Sequence, residues 1–112
     1  METFTKGDIV LFPFPYTDLT NRKIRPCLVV FNEMREDIIL CQITSQSISG
    51  DDYSIELQSD ETIGGTLKIY SYIRANMIFT AAKNQIKMKL CKIGNDKYSK
   101  VSETINKIIS KK

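Results

Sequence analysis

Histidine and tryptophan are absent from this chain of 112 residues, and its three cysteines stand far apart. Without histidine, catalytic triads and dyads that use an imidazole as the general base are excluded. No Cys-x-x-Cys arrangement occurs, so we expect no structural zinc site, no other metal and no cofactor. Cys27 and Cys41 lie in apolar runs, and we interpret them as small buried hydrophobic residues.

The chain also lacks a hydrophobic run of membrane-spanning length, and its first residues lack the apolar core of a signal peptide. We therefore expect a cytoplasmic protein that does not associate with membranes. Its length and composition predict one globular domain over residues 1–112. The net charge of +3 is a mild bias toward polyanions, and the lysines of the last quarter are interpreted as a solvated helix face.

Short apolar runs bounded by polar segments predict a mainly β (α+β) fold. Asn95 is predicted to cap a C-terminal amphipathic helix, because apolar residues recur at helical spacing after it. Residues 84–93 fit either a strand or a short helix. The predicted strands are 7–13, 26–32, 37–44, 53–57, 67–74 and 78–82. This pattern indicates a small β-barrel-like domain.

The stretch between the first two strands is the strongest indication of a ligand. Pro13 and Pro15 cannot donate to a strand ladder, so we expect the chain to leave the sheet there. Pro26 favours an extended Arg25 at the opening of the second strand. A permanently charged, forked donor beside a polar loop predicts an anion site.

Five segments in this order resemble one known family. They are Gly7-Asp8-Ile9-Val10, Pro13 to Asp18, Arg25-Pro26 to Val30, Ile43-Thr44-Ser45, and Ser71-Tyr72-Ile73-Arg74-Ala75-Asn76. Together they resemble the MazF/PemK (Kid-like) toxin endoribonucleases of type II toxin–antitoxin systems. The resemblance implies an SH3-like β-barrel with a C-terminal helix. It further implies a toxin that cleaves single-stranded mRNA selectively without a metal, and so inhibits translation and growth.

By this resemblance, Arg25, Thr44 and Arg74 are the catalytic residues. An arginine is a poor base, so Arg25 is assigned to stabilising the phosphorane formed when the ribose 2′-OH attacks phosphorus, with proton donation to the leaving group as a second role. Thr44 is expected to contact the scissile phosphate, and Arg74 to contact substrate and assist catalysis. Each has a structural alternative: an Arg25–carboxylate pair, a Thr44 hydroxyl that caps the turn at Ser45, and an Arg74 ion pair.

RNA contacts are expected mainly from the first loop and from the ends of the strands. The proposed substrate-binding residues are Phe14, Tyr16, Thr17, Asp18, Lys23, Ser45, Gln46 and Asn76. The aromatic residues would stack on unpaired bases, although they also suit a role as loop anchors. Two departures from Kid-like members concern proton transfer: Asn76 replaces an aspartate, and the first loop lacks a histidine.

The expected partners are single-stranded RNA, a cognate antitoxin protein and a second copy of this chain. An alternating strand at 53–57 is predicted to leave Tyr53, Ile55 and Leu57 as an apolar patch for a two-fold dimer. Two other functions stay open. One is a CcdB-like gyrase-poisoning toxin, although the C-terminal Trp-Gly-Ile of that family is missing. The other is a non-catalytic SH3-like module that binds RNA or peptide.

Overall fold

The computed structural model describes residues 3–15, 22–47 and 49–112, and within these ranges it contains seven strands and one α-helix. Two short 3₁₀ turns cover residues 59–61 and 83–85. The elements are β1 Asp8–Pro15, β2 Arg22–Met34, β3 Asp37–Thr44, β4 Ser54–Leu57, β5 Thr62–Ile63, β6 Ser71–Ala82, β7 Met88–Ile93 and α1 Asn95–Ser110. No helix in the described part of the chain is long and apolar enough to cross a membrane.

All seven strands belong to one antiparallel sheet in the order β4-β6-β3-β2-β1-β7-β5. Strands β1, β2 and β3 form a meander at its centre, and the later strands extend it on both sides. The sheet curls into a half-barrel, which confirms the predicted SH3-like barrel with a C-terminal helix.

Apolar side chains cover both faces of the sheet, because the strands alternate. On β2, Leu28 points to the face under the helix, whereas Cys27 and Val29 point to the other face. The helix-side cluster is Ile9, Leu28, Cys41, Ile43, Leu57, Ile73, Cys91, Ile93 and Val101. The far-side cluster is Val10, Phe12, Cys27, Val29, Ile38, Leu40 and Ala81. Burying each large apolar side chain contributes about 1.5–3 kcal/mol to stability.

The C-terminal helix confirms its predicted amphipathic pattern. Val101 is fully buried against the sheet, and Tyr98 and Ile105 pack beside it. The Tyr98 hydroxyl donates to the Val30 carbonyl at 2.6 Å, which anchors the first turn to β2. The predicted cap was wrong by one residue: Gly94 is the N-cap, and Asn95 is the first helical residue.

The prediction that Pro13 and Pro15 force the chain out of the sheet was wrong. β1 continues through both prolines and pairs with β2 as far as Pro15 opposite Arg22. The Leu11 carbonyl accepts from the Lys87 N–H, so the odd-numbered residues of this part of β1 direct their backbone groups toward β7. The β1–β7 register ends at Leu11, and the N–H groups missing from the prolines therefore cost no ladder bond.

The segments 67–74 and 78–82 were predicted as two strands, but residues 71–82 form the single strand β6. A wide bulge explains the apparent break. Between the pairs Ile43–Ile73 and Cys41–Ile78, one residue of β3, Gln42, faces four residues of β6. Because a bulge of this kind contains polar residues, its sequence resembles that of a turn between two strands. Residues 84–93, predicted as either a strand or a short helix, hold the end of a 3₁₀ turn followed by β7.

The apolar patch predicted at Tyr53, Ile55 and Leu57 was also wrong. Leu57 is only 1% exposed and belongs to the helix-side cluster, and Ile55 packs against that cluster. This face of β4 therefore completes the core of the chain itself.

Candidate nucleic-acid interface

Arg25 and Thr44 lie at the same end of two neighbouring strands. The β2–β3 ladder ends at the pair Cys27–Gln42, and Arg25 and Thr44 each lie two residues beyond that pair. Both side chains are half-exposed and share the sheet face of the far-side cluster. Arg25 does not open its strand as predicted, because it is the fourth residue of β2 and pairs with Phe12 of β1.

Thr44 connects this position to the next strand and to the turn that follows. It pairs with Tyr72 of β6, and its Oγ1 accepts a hydrogen bond from the Gln46 N–H at 3.2 Å. The structure therefore contains the predicted alternative, in which the Thr44 hydroxyl caps the turn at Ser45. A hydroxyl that accepts through a lone pair keeps its own O–H to donate, so capping leaves Thr44 able to bind a phosphate oxygen.

Arg74 lies two residues beyond Tyr72 on the same face of β6 and pairs across to Ser54 of β4. Its Nε contacts Asp51 Oδ2 at 3.2 Å. The Arg74 side chain is 19% exposed and that of Asp51 only 4%. The ion-pair alternative is thus observed for Arg74, and it engages Nε rather than the terminal fork of the guanidinium.

Backbone contacts hold the β6 bulge in place beside Arg74. The Arg74 carbonyl accepts from the Cys41 thiol at 2.8 Å, and the Ala75 N–H donates to the Tyr53 carbonyl at 3.1 Å. Burial raises the pKa of the Cys41 thiol to about 12, so the thiol stays protonated and keeps donating. Asn76, the next residue of the bulge, is exposed to solvent.

The aromatic and cationic residues of β1 and β2 border Arg25 on the other side. Phe14 pairs with Lys23, and the Phe14 ring packs on Phe79 with centroids 5.0 Å apart. Phe14 therefore makes the anchoring contact predicted as its alternative role. Lys23 is exposed and lies on the Arg25 face of β2. Lys23 and Arg25 each have an interaction partner within the chain.

The remaining predicted residues divide into two groups. Ser45 and Gln46 follow β3 directly and are exposed beside Thr44. Tyr16, Thr17 and Asp18 lie outside the described residues. The structure thus brings Phe14, Lys23, Arg25, Thr44, Ser45, Gln46, Arg74 and Asn76 to one region of adjoining strands.

Sequence reasoning missed Tyr72 and Asp51 as members of this region. Strand alternation from Arg74 was the available signal for Tyr72, whereas nothing in the loop composition marked Asp51. Tyr72 also contacts Tyr70, with ring centroids 5.5 Å apart. A hydrogen bond to the Glu56 carboxylate raises the pKa of Tyr70 to about 12 and links this pair of phenols to β4.

The region presents cationic groups and a hydroxyl on one face of the sheet. Two guanidinium groups and one threonine hydroxyl are presented by three neighbouring strands. Within residues 3–15, 22–47 and 49–112, no group of three or more cysteine, aspartate or glutamate side chains is arranged to hold a metal ion. The donors present are suited to phosphate oxygens.

A protein-family model matches residues 5–109 of this chain, and its description reads PemK-like, MazF-like toxin of type II toxin-antitoxin system. No curated protein sequence matches the chain significantly.

Solved structures with the same fold include one from Deinococcus radiodurans and two from mycobacteria. The first is a MazE–MazF crystal structure from Deinococcus radiodurans, with 15% identity, coverage of 97% of this chain and 98% of that chain, and a TM-score of 0.79. An endoribonuclease in complex with its cognate antitoxin from a mycobacterial species has 14% identity, coverage of 98% and 96%, and a TM-score of 0.72. The Mycobacterium tuberculosis toxin MazF-mt6 has 13% identity, coverage of 90% and 96%, and a TM-score of 0.67. At these identities the likeness shows the fold.

Proposed function

We propose that this chain, which belongs to the PemK-like, MazF-like toxins of type II toxin–antitoxin systems, is an endoribonuclease that cleaves single-stranded mRNA without a metal. One observation carries the proposal: Arg25 and Thr44 lie at the same end of the β2–β3 ladder, each two residues beyond its last pair, and on one face of the sheet. A forked cation and a hydroxyl donor next to each other are the groups needed to hold a phosphate while it reacts.

The reaction that suits these groups is a transesterification. The ribose 2′-oxygen attacks the adjacent phosphorus and loses its proton, while the bond from phosphorus to the 5′-oxygen breaks. The departing 5′-oxygen takes up a proton. The products are a 2′,3′-cyclic phosphate and a free 5′-OH, and no metal-bound nucleophile is involved.

Arg25 has the leading role in this mechanism. Its guanidinium stabilises the charge that accumulates on the non-bridging oxygens of the phosphorane, and preorganised donors of this kind are often the largest single contribution to catalysis. A guanidinium is permanently charged, which makes it suitable as a donor and unsuitable as a base.

Thr44 and Arg74 assist Arg25 from the neighbouring strands. The Thr44 O–H, whose oxygen is held by the Gln46 N–H, donates to a non-bridging phosphate oxygen. Arg74, held through Nε by Asp51, directs its remaining N–H groups to the phosphate or to an adjacent one. The proposed catalytic set is thus Arg25, Thr44 and Arg74.

The RNA strand is proposed to lie along the same face, in contact with the exposed groups around these three residues. Lys23 and Arg25 attract the phosphate backbone, and Ser45, Gln46 and Asn76 offer hydrogen-bonding groups for base edges. The first loop, with Tyr16, Thr17 and Asp18, and the Phe14 ring complete the proposed substrate-binding set. Tyr72 adds a stacking surface beside Thr44.

The proposed partners are a cognate antitoxin protein and a second copy of the chain. An acidic, disordered antitoxin segment that orders on this cationic face would cover Arg25 and Thr44 and so block cleavage. A two-fold dimer would place two such faces in one particle. Since mRNA is the substrate, the toxin would act in the cytoplasm.

The test is incubation of the purified protein with mixed RNA in excess EDTA, followed by sequencing and chemical mapping of the RNA ends. We expect cleavage at a restricted set of sites, with 2′,3′-cyclic phosphate and 5′-OH ends. An Arg25→Ala preparation made in parallel controls for contaminating nucleases.

Three results would overturn the proposal. Activity that disappears in EDTA and returns with magnesium would point to a metal-dependent mechanism. Growth arrest by the expressed chain with intact RNA, together with trapped gyrase–DNA complexes, would favour the gyrase-poisoning alternative. RNA binding without cleavage would favour the non-catalytic module.

A further inference from the structure

Asp51 is a nearly buried carboxylate in the loop between β3 and β4. Its side chain is 4% exposed, and both of its oxygens are engaged. Oδ1 accepts a hydrogen bond from the Tyr53 N–H at 2.9 Å, and Oδ2 contacts Arg74 Nε at 3.2 Å. A carboxylate withdrawn from solvent in this way must be paired, because an isolated buried charge is costly.

The two contacts of Asp51 have different functions. The bond to the Tyr53 N–H fixes the carboxylate at the start of β4, as an aspartate commonly does within a turn. The second oxygen is then aimed at β6, where it meets Nε, the inner nitrogen of the Arg74 side chain. The terminal Nη groups, which form the fork that binds phosphate, are not consumed by the contact.

Arg74 is therefore restrained at two points. Its backbone lies in the β6 bulge, where its carbonyl accepts from the Cys41 thiol and the next N–H, that of Ala75, donates to the Tyr53 carbonyl. Its side chain is held near the end by Asp51. Tyr53 contributes to both restraints, since its N–H holds Asp51 and its carbonyl holds Ala75.

Such restraint matters for a long side chain that acts on a phosphate. A free arginine loses much rotamer freedom when it binds, whereas one held beforehand has already lost that freedom on folding. The face of β6 that carries Arg74 also carries Tyr72, the partner of Thr44. The guanidinium is thus presented on the same face as the proposed catalytic hydroxyl.

We propose that Asp51 is a positioning residue for the cleavage reaction, holding the Arg74 guanidinium so that its Nη groups meet the reacting RNA phosphate. This proposal rests on the proposed endoribonuclease function. Asp51 itself touches no substrate, because its carboxylate is nearly buried and both oxygens are used within the chain.

The experiment compares Asp51→Asn with Asp52→Asn in steady-state cleavage of one RNA substrate. The two variants lose the same charge at adjacent positions, and Asp52 is exposed, so it controls for the general attraction of RNA. Asparagine keeps an oxygen for the Tyr53 N–H, so the turn is retained. We expect kcat to fall about 10- to 100-fold for Asp51→Asn with little change in KM, and Asp52→Asn to match the wild type.

A double-mutant cycle separates positioning from a structural role. In an Arg74→Ala background, Asp51→Asn is expected to cause no further loss of kcat, because there is no guanidinium left to hold. If Arg74→Ala alone folds poorly, NMR supplies a second measurement. The Arg74 Nε–H donates to Asp51, so its signal should be protected from exchange in the wild type and in Asp52→Asn, and should lose that protection in Asp51→Asn.

The possible failures are distinguishable. A wild-type chain that cleaves no RNA would overturn the proposed function, and the positioning proposal with it. A wild-type chain that cleaves, with Asp51→Asn as active as Asp52→Asn, would overturn the role of Asp51 alone. Equal losses of kcat from Asp51→Asn in the wild-type and Arg74→Ala backgrounds would also overturn it, because they would indicate a purely structural effect.

Discussion

The Oγ1 atom of Thr44 accepts a hydrogen bond from the backbone N–H of Gln46 at 3.2 Å, at the point where β3 ends. The same hydroxyl lies at the end of the β2–β3 ladder where Arg25 also lies, and on the same face of the sheet. The bond fixes the oxygen and leaves its proton available, so the turn prepares Thr44 to donate. Stability is therefore expected to depend on the hydroxyl oxygen as an acceptor, and activity on the hydroxyl proton as a donor.

Replacing Thr44 with valine removes both the acceptor oxygen and the donor proton while keeping the shape of the side chain. Loss of the bond to Gln46 should lower the free energy of unfolding by about 0.5–1.5 kcal/mol. Loss of a donor to a charged phosphate should slow cleavage by roughly 10- to 100-fold. Thr44→Ser should retain most of both properties. Thermal melts and cleavage rates measure the two effects, with Thr80→Val, an exposed threonine of β6, as the control. Equal rates for Thr44→Val and Thr80→Val would remove Thr44 from the mechanism.

Arg25 is expected to be the most sensitive position for activity. Arg25→Ala should cost roughly 3 kcal/mol of transition-state stabilisation, a rate loss on the order of a hundredfold. Arg25→Lys should also lose most of the activity, because an ammonium cannot hold two phosphate oxygens as the planar fork does. The matched control is Arg35→Lys, in the exposed turn between β2 and β3. Melting temperatures should change little. If Arg25→Ala lost stability in proportion to activity, the structural role of an Arg–carboxylate pair would explain it better.

Stability is expected to fall at alkaline pH because of the buried thiols. Burial raises the pKa values of Cys27 and Cys41 from 9.0 to about 12 in the folded chain. Between these values the unfolded state loses thiol protons that the folded state keeps, so unfolding is favoured as pH rises. The contribution is fully present below about pH 9 and is lost toward pH 12. Burial raises the pKa of Tyr98 as well, which acts in the same direction.

Melting temperatures measured from pH 8 to pH 11 test this dependence. The double variant Cys27→Ala/Cys41→Ala should have a flatter profile than the wild type, although its stability at pH 8 is lower. Profiles of equal slope would contradict the assignment of the alkaline loss to these thiols.

Assembly is the fourth expected outcome. The chain should form a two-fold dimer at micromolar concentration, with twice the 12.8 kDa mass of one chain in light scattering. The face of β4 with Ile55 and Leu57 is used in the core, so charge placed at Ile55 should reduce stability rather than selectively dissociate a dimer. A monomer of full cleavage activity would show that pairing is unnecessary for function.

Local patterns were sufficient for most of the fold. Alternating and continuous apolar runs predicted β1, β2, β3 and β4 within a few residues, because strand periodicity is written in adjacent positions. They failed where a neighbouring strand decides the outcome. Whether Pro13 and Pro15 interrupt a ladder depends on where β7 ends, and the β6 bulge depends on the register of β3.

The sequence by itself determined that the chain is a small β-rich domain with a C-terminal amphipathic helix, and its ordered motifs predicted the family and the pair Arg25 and Thr44. Only the tertiary structure decided that Ile55 and Leu57 pack into the core, that Thr44 pairs with Tyr72, and that Asp51 holds Arg74. Asp51 and Arg74 are 23 positions apart in the sequence. Their contact therefore requires the pairing of β4 with β6, which places Arg74 close to the loop that contains Asp51. Contacts of this kind arise from strand register and bulges, which depend on the packing of the whole sheet rather than on any local pattern of residues.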